Sequence, residues 1–145
     1  MRTAKRRVRA LELIEQLQKH EMEDEVRELG VLHGQIDKLD RERRELLEKV
    51  QREAHIVSIE AAPYVGSFIR ALRTEIATRE QSITQLEEKA EALEDAVRER
   101  FRELKTYTTV LDRTRASLAQ EQNRRETAQV EEQIYLSWGR RGERG

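Results

Sequence analysis

The chain has 145 residues, of which 39% are charged and only 4% aromatic, with one Pro, six Gly and no Cys. That balance is too poor in large apolar side chains for an ordinary globular core, whereas a long helix needs only one apolar stripe. A net charge of −1 and strictly periodic apolar residues argue against disorder of the whole chain, and the absence of Cys excludes disulfides and thiolate metal sites.

The segment from Met1 to Arg9 is basic but no apolar run follows it, so it predicts no secretory signal. From Val8 to Val57 apolar residues recur at alternating steps of three and four. With Leu29 at heptad position a, the a/d series is Leu29, Leu32, Ile36, Leu39, Arg43, Leu46, Val50, Glu53, Val57, seven of nine apolar. The register extends back through Met22 to Leu11 and Val8. There Ile14, Leu17 and Val26 sit one residue off, which predicts a wider stripe.

Between the helical patterns lies Ser58 to Gly66, with Ser58 placed to cap and Pro63 placed for a first helical turn. The longest uncharged stretch, Ala61 to Ile69, is far too short to span a bilayer, so the expectation is a cytoplasmic protein without membrane insertion.

The second series, with Ile69 at a, runs Ile69, Leu72, Ile76, Arg79, Ile83, Leu86, Ala90, Leu93, Val97, Arg100, Leu104, Tyr107, Leu111, Thr114, Leu118. Twelve of these fifteen are apolar and the register never slips, which predicts a left-handed supercoil. Setting Val57 opposite Val65 pairs Leu46 with Ile76, Leu39 with Ile83, Leu29 with Leu93 and Leu11 with Leu111. The expected fold is therefore all-α, a long antiparallel two-helix coiled-coil hairpin whose second helix is longer than the first. It forms one domain: helix 1 over about 4–57, a turn over about 58–63, helix 2 over about 64–136, and a disordered tail over about 138–145. A first helix of about 50 residues is roughly 75 Å long. Residues beyond about Leu118 then overhang, and Arg124, Arg125, Val130 and Ile134 there want another molecule.

Catalysis needs a pocket that fixes groups and excludes water, and a two-stranded hairpin offers none. The expectation is no enzyme and no cofactor. His20, His33 and His55 are scattered. His33 with Asp37 four residues on is the nearest approach to a metal pair, and ordinary surface residues account for it better. Lys5, Arg6, Arg7 and Arg9 sit near Arg113 and Arg115 at the open end, while Glu87 to Glu99 is acidic. Without interleaved aromatics the basic end favours a protein partner over nucleic acid. Tyr64, Val65, Phe68 and Ile69 crowd apolar area at the tip, as core or as an exposed docking patch. Gly30 and Gly34 fall on the outer face, which suits either a bend or the close approach of a partner.

Three stretches stand out as motifs: Arg7-Val-Arg-Ala-Leu11-Glu-Leu-Ile-Glu-Gln-Leu17, Tyr64-Val-Gly-Ser-Phe68-Ile69-Arg-Ala-Leu72-Arg-Thr-Glu-Ile76, and Arg124-Arg125-Glu126 with Lys105 before it and Glu131-Glu132 after it. With the size and the longer second helix, they resemble the FliJ family of flagellar type III protein export, related to the YscO-type stalk proteins of injectisomes. The resemblance implies a cytoplasmic component held at the inner face of the membrane through the export apparatus. Members resemble the central stalk of rotary ATP synthases. They enter the export ATPase hexamer, promote its assembly and activity, and link it to the export gate membrane protein, and some escort export chaperones. Carried over, it implies gate contacts by Phe68, Leu72, Glu75 and Arg79, and ATPase-ring contacts by Arg7, Leu11, Leu104, Leu111, Arg113 and Arg115. The alternative reading is a generic coiled-coil adaptor or scaffold with no export role.

Overall fold

Leu, Ala, Glu, Gln, Lys and Arg dominate the chain, and these residues cost a helix least in side-chain freedom. A computed structural model describes residues 2–55 and 62–143. It consists of α1 (Arg2–Ala54) and α2 (Ala62–Glu143), with no other element among the described residues. The amide of His55 closes the last turn of α1 onto the carbonyl of Arg52 at 3.3 Å. Pro63 is the second residue of α2, where its missing N–H deprives the helix of nothing.

The ends of the elements differ from the sequence expectation in two places. Ser58 and the rest of 58–61 lie outside the described residues, as does Val57, and α2 starts at Ala62. At the other end α2 continues through 138–143, where a disordered tail is expected. Only Gly139 and Gly142 oppose the helix there, at about 1 kcal/mol each. Arg140 and Arg141 stand in the last turn, next to the negative end of the helix dipole, which favours it.

The chain divides into two compact units, residues 21–100 and residues 1–20 with 101–145. Each contains a stretch of α1 packed antiparallel against a stretch of α2. In the 21–100 unit Arg79 reaches Glu42 and Arg100 reaches Glu25, so α2 numbers fall as α1 numbers rise. In the other unit Arg115 reaches Glu12 and Thr108 reaches Glu15, with the same sense.

The heptad positions form the seam. Each of the fifteen α2 positions from Ile69 to Leu118 is buried or half-buried, and so is each α1 position from Leu29 to Glu53. Leu46, Leu72 and Ile76 gather into one core cluster with Val50 packed against it, in keeping with the pairing of Leu46 and Ile76. A two-helix seam rarely encloses a side chain completely, and Leu111, 1% exposed, is the most enclosed apolar residue of the core.

Candidate functional site

In the 21–100 unit, the first turns of α2 carry an exposed row beside the core. Tyr64 is 79% exposed and Phe68 47%. With Ala71 and Glu75, also exposed, they follow the i, i+4, i+7, i+11 spacing of one helix face. Leu72, turned a little further toward the seam, is 7% exposed and belongs to the Leu46–Ile76 cluster. Arg79 likewise lies in the seam, half-buried, its Nε donating to Glu42 Oε2 at 3.1 Å. Of the four residues that the family resemblance assigns to the gate, Phe68 and Glu75 are therefore on free surface, while Leu72 and Arg79 build the support beneath.

Two polar layers interrupt the apolar seam of this unit. In one, Arg43 donates from Nη2 to Asp40 at 2.8 Å and lies 3.7 Å from Glu80, next to the Arg79–Glu42 pair. The Arg43 hydrogen bond, followed by the charges of Arg44 and Arg43, holds the Asp40 carboxyl below its ordinary value against a smaller opposing effect of burial. In the other, Arg100 donates to Glu25 from Nε at 2.8 Å and from Nη2 at 2.7 Å, and also pairs with Glu21. Between them His33 Nε2 lies 3.5 Å from Glu94. Among the described residues no three His, Asp or Glu side chains gather as metal ligands would.

In the other unit, Leu104 and Leu111 are core, Leu11 is half-buried, and Arg7, Arg113 and Arg115 are exposed. Arg7 and Arg113 line one open groove with Val110, Leu118 and Glu121. Arg115 is engaged with Glu12 at 2.8 Å, which raises its pKa. Glu15 occupies the seam. It accepts from the Thr108 hydroxyl at 2.9 Å and from Lys19 at 3.2 Å, and these bonds, Thr108 first, hold its carboxyl below the ordinary value.

Sequence periodicity missed one feature here. Of the three residues expected to widen the stripe, Ile14 is half-buried but Leu17 and Val26 are exposed, because the seam keeps its register through Glu15, Gln18 and Glu25. Leu13 and Leu17 are left on the outside, as is Phe101 on α2. A polar residue at a seam position beside an apolar one off the seam was the available signal. From residue 123 to 142 every described side chain of α2 is exposed, so Val130, Ile134 and Trp138 also lack cover from α1.

No helix among the described residues is long and apolar enough to cross a membrane. Compared with known families, residues 6–143 match the model of the flagellar FliJ protein. No curated protein and no solved structure matches the chain. A match over almost the whole length shows the family: the chain belongs to the FliJ family, a family of non-enzymatic components of flagellar protein export.

Proposed function

We propose that this chain acts as the stalk of the flagellar export apparatus, binding the export ATPase hexamer and linking it to the cytoplasmic domain of the export gate. On this reading the protein is cytoplasmic, peripheral at the inner face of the membrane, and some of its surface serves export chaperones. The observation that carries the reading is the exposed Tyr64–Phe68 face, in the motif by which the chain resembles its family, mounted on the Leu46–Leu72–Ile76 core. Exposed aromatic area on a rigid support is the usual make-up of a binding hot spot.

Phe68 and Glu75, with Tyr64, make the gate contact; Leu72 and Arg79 hold that face in place. The ATPase ring takes Arg7 and Arg113 on their shared groove, with Arg115 beside it. Leu11, Leu104 and Leu111 keep the two helix stretches together there.

Surface and support respond differently to truncation. Tyr64→Ala with Phe68→Ala lowers affinity for the purified gate domain at least about tenfold, the loss of one hot spot, while helicity and the melting curve stay unchanged. Leu72→Ala lowers the melting temperature as well. Wild-type affinity in the Tyr64/Phe68 double variant would remove this face from the gate contact. The adaptor reading makes a separate forecast, that the chain leaves the turnover of the purified export ATPase unaltered.

A further inference from the structure

The strongest feature left unused is the stretch of α2 beyond Gln122. Its described side chains are all exposed, and Val130, Ile134 and Trp138, at i, i+4 and i+8, share one face with Gln133, Ser137 and Arg141. Most helical stability in a protein comes from packing of an apolar face, so this face gains from being covered.

The charges flanking it say by what. Taking Val130 and Ser137 as d and Ile134 as a, one flank of the face carries Glu126, Gln133 and Arg140 at seven-residue intervals. In a parallel pair of identical helices this flank would face the opposite one, setting Glu126 against Glu131 of the other copy and leaving Arg140 without Glu126. In an antiparallel pair centred near residue 133, Glu126 meets Arg140 of the other copy, Gln133 meets Gln133, and Val130 packs on Ile134. On the opposite flank Arg124 comes against Trp138, a cation over an aromatic face. The like-charge meeting in this arrangement is Glu131 with its own copy, near the two-fold axis. One side is self-complementary only when the copies run in opposite directions.

We propose that residues 123–141 dock antiparallel onto the same stretch of a second copy of this chain, giving a weak, reversible dimer. The inference does not depend on the export reading, since it uses only the unpartnered face and its charge order.

Sedimentation equilibrium of the full chain tests it: the weight-average mass rises with concentration toward twice that of one chain. Ile134→Glu weakens association at least about tenfold, from the loss of a buried branched side chain, without moving the melting transition of the α1–α2 seam. Glu126→Arg also weakens it, and adding Arg140→Glu restores it. The chain has no Cys, so orientation can be read by cross-linking. A Gln133→Cys chain links to itself on mild oxidation. A Glu126→Cys chain links to an Arg140→Cys chain but not to itself. A mass that stays monomeric at every concentration overturns the proposal. So does self-linking of Glu126→Cys as strong as that of Gln133→Cys, which the antiparallel register forbids, or association indifferent to Ile134→Glu.

Discussion

Arg43, Arg79 and Arg100 hold heptad positions that an apolar side chain would fill more cheaply. Each is half-buried, and each has a carboxylate within salt-bridge reach. Pairs of this kind contribute little net stability but penalise any register that separates them, as a lone polar residue does in other coiled coils. Glu25→Ala removes the two Arg100 contacts to Glu25 and should cost about 1–3 kcal/mol by urea unfolding, the range for hydrogen bonds to charged groups. Replacing Arg100 and Glu25 together by Leu should recover that loss and also yield higher oligomers by light scattering. A Leu–Leu variant no more associated than the wild type would remove the register role. Glu15 and Asp40 supply a pH dependence. Both are held below their ordinary values in the folded chain, so the unfolded chain takes up protons first on acidification. Their contribution is complete above the ordinary carboxylate range and is lost as pH falls through the depressed folded values. The melting temperature should therefore fall as pH drops below about 4, and fall less in Glu15→Gln. An unchanged slope in that variant would mean the Thr108 and Lys19 bonds contribute nothing in solution.

At the scale of the helices, α1 carries two glycines that nothing in the chain requires. A Cβ at Gly30 or Gly34 would meet no atom within 4 Å. Gly30→Ala with Gly34→Ala should raise stability by about 2 kcal/mol, the sum of two helix-propensity differences. A more stable variant that binds a partner less well would mark this face as one of close approach. The helices themselves were legible because burial along a seam repeats every seven residues, and each α2 position named by that repeat is covered. Less legible were features that depend on what stands across the seam. Glu15 reads as an interruption until Thr108 appears opposite it, and Glu25 until Arg100 does. Phe68 and Leu72 belong to one motif, yet one is surface and the other core. Four residues advance a helix by 400°, so the two point about 40° apart. That small turn is enough, because the seam of a two-helix pair is narrow. At the far end of α2 two glycines suggest a break, yet the helix runs on to Glu143 with two arginines in its last turn.

Considered whole, the molecule has little enclosed core and several exposed apolar or basic surfaces, each on a firm helical support. Leu111→Ala should cost about 2–4 kcal/mol, as for other core leucines, with calorimetry as the check. Exposed side chains such as Phe68 and Trp138 should be nearly silent in that assay. On the proposed reading, stability and recognition then reside in different residues of the same helices. The central claim is that those surfaces serve flagellar export, in keeping with the family to which the chain belongs. The most direct test is affinity capture of the tagged full chain from its native lysate, with partners quantified by mass spectrometry against the Tyr64→Ala/Phe68→Ala variant. The account predicts that the wild type enriches both the export ATPase and the gate protein, and that the variant keeps the first and loses the second. Enrichment of neither, with the chain folded and abundant, would contradict it.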